Sequence, residues 1–157
     1  MYRKPVYLFW GIFLAAFMLG CVTGGGGKIE TYKPKSASES EMTKALVDFQ
    51  KAYNREDLAG CLSHLHENAQ LQTSPSGAMG SKKSYSNVLE EEWNDYGSQF
   101  QYSIPDITIN GDQAVVKIRS DWTTKNGLSG YNENEMNMVR EGDRWLTMKA
   151  TYMQVVH

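Results

Sequence analysis

Phe100-Gln-Tyr-Ser-Ile-Pro-Asp-Ile-Thr-Ile-Asn-Gly-Asp-Gln-Ala-Val-Val-Lys-Ile-Arg-Ser-Asp-Trp122 is the stretch that decides the fold. Phe100, Tyr102 and Ile104 alternate with polar residues, which is the period of a strand with one buried face. Pro105 moves the phase to Ile107 and Ile109, so a bend or bulge is expected there. Asn110-Gly111 reads as a tight hairpin turn with positive φ at both central residues. Ala114, Val116, Ile118 and Trp122 then alternate again. Strand parity puts Trp122 on the apolar side and Lys117, Arg119 and Asp121 on the other.

Working towards the C-terminus, the Gly-rich segment 125–130 is a turn, and a strand carrying Met136 and Met138 follows. Glu141-Gly142-Asp143 turns the chain once more. The last strand is expected to put Leu146, Met148, Ala150 and Tyr152 on one face. Met136, Met138, Met148 and Met153 read as adaptable filler for an irregular sheet face.

Working towards the N-terminus, the period changes from two to that of a helix. Met42, Leu46, Phe49 and Tyr53 share one helical face, with Ser38 or Ser40 as cap. Asn54-Arg55-Glu56-Asp57 breaks the run, and a short second helix carries Leu58, Cys61, Leu62 and Leu65. Residues 68–73 fit a first strand. Ser81 opens a third helix with Tyr85, Val88, Leu89, Trp93 and Tyr96 on one face, ended by Gly97. Glu90-Glu91-Glu92 within it reads as a solvated charge run. The fold class is α+β: three N-terminal helices packed on one face of a curved, cone-like antiparallel sheet.

The start of the chain is an address. Arg3 and Lys4 precede an apolar run from Val6 to Phe17, and Met18-Leu19-Gly20-Cys21 follows. A positive start, a short apolar stretch and a small residue before the cut describe a signal peptide. The Gly20-Cys21 ending resembles the bacterial lipobox, which implies lipidation of Cys21, a palmitate-type membrane anchor, and a place in the cell envelope. Val22, not Asp, follows the Cys, which points to the periplasmic face of the outer membrane where the host has one. An uncleaved anchor over Val6 to Val22 is the alternative, at the lower limit for a span. Gly24 to Gly27 form a spacer. No strand precedes them and no Gly-Lys-Ser/Thr ending follows, as a phosphate loop would need. The expected division is 1–20 signal peptide, 21–38 tether and 39–157 globular domain.

The 157 residues carry 16 basic and 18 acidic side chains. Without residues 1–20 there remain 14 basic residues and a net charge of −4. That mildly acidic balance, with no basic stripe, argues against nucleic acid as a partner. With Cys21 lipidated, Cys61 has no disulfide partner and reads as a small buried apolar residue.

Three phrases carry a wider resemblance. The segment 45–58, Ala-Leu-Val-Asp-Phe-Gln-Lys-Ala-Tyr-Asn-Arg-Glu-Asp-Leu, comes first. His66-Glu67-Asn68-Ala69 and Arg140-Glu141-Gly142-Asp143-Arg144-Trp145-Leu146 follow in order. Together with the element order over residues 41–156 they resemble the nuclear transport factor 2-like superfamily, which includes ketosteroid isomerases and SnoaL-like polyketide cyclases. The resemblance implies a bent sheet wrapped round a pocket closed by helices. It also implies a site: a carboxylate ending strand one, a tyrosine in helix one and an acid on a later strand. Ungapped alignment on Asp57-Leu58 and Ala69 puts these at Thr73, Phe49 and Met136 (with Glu135 adjacent). Threonine is no base near neutral pH, and Phe and Met donate no hydrogen bond to an oxyanion, so that chemistry is argued against.

His64 and His66 are the remaining catalytic candidates. On a helix two residues apart they diverge by roughly 200°, though at a helix end they can converge, with His157 as a third ligand. The plainer reading is solvated histidines near a helix C-terminus. Phe49, Tyr53, Trp93, Trp122 and Tyr152 are the candidates for a ligand pocket. Trp93, Trp122, Trp145 and Tyr152 each read as core or as pocket wall. No cofactor or metal is expected. The leading expectation is a non-catalytic envelope module binding a small hydrophobic ligand or an envelope protein, able to pair with itself through the sheet. The alternative is an isomerase-, cyclase- or dehydratase-like enzyme moving protons with His64 or His66.

Overall fold

A computed structural model of the chain describes residues 27–156. The signal, Cys21 and His157 lie outside the described residues.

Helix α1 (Ala37–Asn54) starts at Ser36, whose hydroxyl accepts the Glu39 amide at 3.1 Å. Ser36 and Glu39 stand three apart in the manner of a capping box, which explains why Ser36, and neither Ser38 nor Ser40, is the cap. Glu39 in turn accepts the Lys35 amide at 2.6 Å and the Tyr32 hydroxyl at 3.0 Å. The segment read as tether is therefore packed in its second half. Ile29, in a single 3-10 turn, is 1% exposed and joins the main core.

Helix α2 (Leu58–Ser63) is capped by Asp57, which accepts the Gly60 amide at 2.8 Å. Glu56, at φ 57, makes the break before it. Strand β1 (Leu65–Gln72) begins three residues earlier than expected and takes Leu65 out of the helix. Strand β2 (Met79–Ser81) and helix α3 (Lys82–Glu91, capped by Ser81) follow. Residues Glu92–Tyr96 continue α3 as one π-helical turn, stopped by Gly97 at φ 54.

The remaining strands are β3 (Gln99–Tyr102), β4 (Asp106–Asn110), β5 (Gln113–Thr123), β6 (Ser129–Glu141) and β7 (Arg144–Val156). The sheet runs β2-β1-β7-β6-β5-β3, and β4 pairs with the other half of β5. β3 and β4 thus form one edge broken at Ser103 to Pro105, where the phase shift was expected. The sheet is mixed, because β1 lies parallel to β7. Alternation reports which face a side chain takes but not strand direction, so this pair was invisible in the pattern.

Two further details differ from expectation. Asn110 pairs with Gln113, so the turn centres on Gly111-Asp112, with positive φ at Gly111 alone. That is the II′ pattern, with Gly first. In β7 the register to β6 slips at Met148, between Thr147 and Lys149. The extra residue flips the phase: Thr147 joins Ala150 and Tyr152 on the concave face, and Leu146 and Met148 do not. A second irregularity interrupts β1 between Leu65 and Gln70. Both bend the sheet.

The core fills the space between α1 and the concave face. Met42 and Leu46 pack with Val116, Ile118, Met136, Met138 and Trp145. A second cluster ties Ala52, Tyr53 and Cys61 to Leu89 and Trp93 of the third helix. Each of the large aliphatic side chains among them contributes roughly 1.5–3 kcal/mol through burial. Among the described residues no helix is long and apolar enough to cross a membrane.

Candidate functional site

The cone is hollow. A small inner chamber of about 80 Å³ lies against Leu46, Leu71, Met136 and Ala150. A wider chamber of about 450 Å³ opens above it. Phe49, Gln72, Tyr85, Tyr102, Asn134 and Tyr152 line both, so the two form one cup with an apolar floor. Asn132 and Asn134 of β6, Ser120 of β5 and Gln72 of β1 give the upper wall its polar groups. They face inward because strand parity puts them on the same side as Met136 and Ile118.

Gln72 is locked in place. Its amide donates to the Ser74 and Tyr152 carbonyls at 2.8 and 3.0 Å, and its oxygen accepts the Tyr152 amide at 3.0 Å. Asn134 donates to the Ser120 hydroxyl and to the Ile118 and Asn132 carbonyls, all at 3.0 Å. The exposed side chains of Tyr96 and Leu128 stand at the mouth.

The acid in this cup is Glu92. Its Oε2 accepts the Tyr53 hydroxyl at 2.7 Å. Burial pushes the Glu92 carboxyl above the ordinary carboxylate range, partly opposed by the Tyr53 hydrogen bond. Burial and the facing carboxylate push the Tyr53 phenol up strongly. The Glu92 Oε1 accepts no hydrogen bond from the described residues. Nor do the Tyr85, Tyr102 and Tyr152 hydroxyls, which border the same space, form one within the described residues. A half-buried carboxyl beside one held phenol and three uncommitted ones can hold, give or take a proton.

Glu92 corrects the reading of Glu90-Glu91-Glu92 as a solvated run. Glu90 and Glu91 are exposed, whereas Glu92 lines the chamber. The signal was in the spacing: Glu92 lies seven residues after Tyr85, four after Val88 and three after Leu89, on the helix's apolar face. The π turn that starts at Glu92 then swings Trp93 and Tyr96 to their places, a device often found at functional sites.

Of the pocket candidates, Phe49, Tyr53, Trp122 and Tyr152 line the cup. Trp93 does not. It packs behind Tyr53, ring centroids 5.5 Å apart. Trp145 is core. Thr73 and Phe49 border the upper chamber and Met136 the floor, so the positions expected to carry isomerase chemistry face the cavity without its functional groups. Glu135 points outward and lies 3.9 Å from Lys117.

The two histidines are not brought together. His64 caps α2 and lines the inner chamber edge-on to Phe49. Burial lowers its pKa, so the ring is neutral near pH 7. His66 lies on β1, outside the cup. Its Nδ1 accepts the Asn68 amide at 3.0 Å and its Nε2 lies 2.9 Å from Glu141. That fixes it to the β6–β7 hairpin. Among the described residues no group of His, Cys, Asp or Glu could hold a metal ion.

No protein-family profile matches the chain, and no curated protein matches its sequence. Solved structures do match in fold. A nuclear transport factor 2-like protein from Cytophaga hutchinsonii superposes with a TM-score of 0.67 at 13% identity, over 76% of this chain and 100% of that one. A scytalone dehydratase-like protein from Novosphingobium aromaticivorans gives 0.67 at 12% identity, over 75% and 84%. A ketosteroid isomerase-like protein from Erwinia carotovora atroseptica gives 0.64 at 16%, over 74% and 95%. The chain has the nuclear transport factor 2-like fold, an α+β cone of three helices against a bent sheet.

Proposed function

We propose that the domain binds a small amphiphilic molecule in its cone while Cys21 anchors the chain in the cell envelope. The observation that carries the binding reading is the hollow cup, with an apolar floor, carboxamide walls and an acid whose second oxygen is free. Glu92 is half-buried, and its Oε1 has no protein partner at the chamber wall, which leaves it open to a ligand. The lipid anchor rests on the sequence of residues 1–21, and a lipidated Cys21 sets the domain at a membrane surface where amphiphiles are concentrated. A fluorescent apolar dye titrated into the protein tests the binding reading. One dye per chain should bind, and Ala150→Phe, which fills the floor, should abolish binding. Undiminished binding to that variant contradicts the reading.

A second reading is favoured by the Glu92–Tyr53 pair. With its raised pKa, Glu92 is poised to move a proton on a bound carbonyl compound, while the free phenols steady the oxygen. In this reading Glu92 takes the role that the sequence offered to His64 or His66. Deuterium exchange from solvent into an enolisable ketone tests it. Exchange lost in Glu92→Gln and kept in His64→Ala supports it.

A further inference from the structure

The charge balance inside the cup defines the ligand further, and this inference rests on the binding reading above. No Lys or Arg lines either chamber among the described residues. The only cationic candidate, His64, is neutral and sits in the inner chamber. Glu92 is therefore a half-buried acid with no counter-ion among the described residues that line the cup. The groups that interact with it are Tyr53 from α1, Tyr85 from α3 and Tyr152 from β7, with Ser98 after the π turn beside Tyr53. All are uncharged near neutral pH. Such a site repels carboxylates and phosphates.

Around that acid the wall is aromatic. Tyr53, Tyr85, Phe100, Tyr102, Trp122 and Tyr152 surround the upper chamber. Tyr53 and Phe100 meet edge to face with centroids 4.8 Å apart, as do Phe100 and Tyr102 at 4.7 Å. Ring faces carry negative potential and attract cations, above all where water is excluded. An acid beside several aromatic rings is a combination by which proteins recognise amines and quaternary ammonium groups.

We infer that the cup selects an organic cation: an amine or quaternary ammonium group held between Glu92 and the aromatic wall, with an apolar tail on the floor at Leu71 and Ala150. The free Oε1 of Glu92 is the point of contact. The Tyr53 hydroxyl holds the carboxylate in position through Oε2.

The test uses three probes each built on a six-carbon chain, hexyltrimethylammonium, hexan-1-ol and hexanoate, titrated calorimetrically into the full chain at neutral pH. The ammonium should bind most tightly and hexanoate most weakly. Glu92→Gln should lower ammonium affinity about thirtyfold and bring its ratio to the alcohol near one. Glu92→Asp, which keeps the charge, should retain the preference, showing that lost affinity is not lost folding. Equal or tighter binding of the alcohol or hexanoate overturns the inference but leaves the binding reading standing. A cation preference that survives Glu92→Gln also overturns the inference. If none of the probes binds, both readings fail.

Discussion

The Tyr53–Glu92 hydrogen bond is open to a quantitative test. Tyr53 is 6% exposed and donates across 39 positions of sequence to a half-buried carboxyl at 2.7 Å. Hydrogen bonds to charged groups contribute about 1.5–3 kcal/mol, against about 1 for neutral pairs. Tyr53→Phe keeps the ring contacts with Trp93 and Phe100 and removes only the hydroxyl. The expected loss is about 2 kcal/mol at neutral pH, which moves a urea midpoint down by about 1 M for a domain of this size. Glu92→Gln removes the charge but keeps a carbonyl that the phenol can reach. In that background the loss from Tyr53→Phe should shrink to about 1 kcal/mol. The double-mutant cycle should therefore return a coupling of about 1 kcal/mol. Urea unfolding of the four proteins measures it. A cost for Tyr53→Phe below about 0.5 kcal/mol, or additivity within about 0.3 kcal/mol, would mean that the phenol and the carboxyl are not coupled.

Other outcomes follow from the same geometry. Glu92 holds its proton more tightly folded than unfolded, so its contribution favours the folded state at low pH and is lost as pH rises from 4.5 through its raised value. Glu92→Gln should flatten that part of the stability–pH curve measured by thermal melts. Cys61 is fully buried with its thiol pushed up to about 12, so a thiol reagent should modify it only after denaturant is added. An added Cβ at Gly130 would meet the Val155 carbonyl and the Trp122 ring, so Gly130→Ala should cost about 1–3 kcal/mol and lower the melting temperature. The proposed lipidation of Cys21, which rests on the sequence of residues 1–21 and not on the fold, predicts that Cys21→Ser moves the protein from the membrane to the soluble fraction on cell fractionation.

The fold was legible where side chains obey a simple period. Alternation in β5 put Ala114, Val116, Ile118 and Trp122 on one face, and the helical face Met42, Leu46, Phe49, Tyr53 packs as its spacing required. What was not legible depended on single residues that break a period. The Met148 bulge reverses the phase of β7, and no local residue type announces it. The parallel β1–β7 pair depends on long-range contacts between opposite ends of the domain. The site was half legible. Aromatic residues marked the cup, but Glu92 was hidden in a run of three acids, read by composition when its helical phase set it apart. Family-based alignment found the cavity wall at Thr73 and Phe49 yet missed the acid, because here it stands on a helix instead of on a strand.

Glu92 sits half-buried in a hollow cup with Tyr53 as its held partner, and burial raises the pKa of its carboxyl. Carbon NMR of the Glu92 carboxyl, followed through a pH titration of the wild type and Tyr53→Phe, tests it most directly. The midpoint should lie above the ordinary carboxylate range in the wild type, and higher still once the phenol is gone. A midpoint at or below 4.5, unmoved by the substitution, would contradict it.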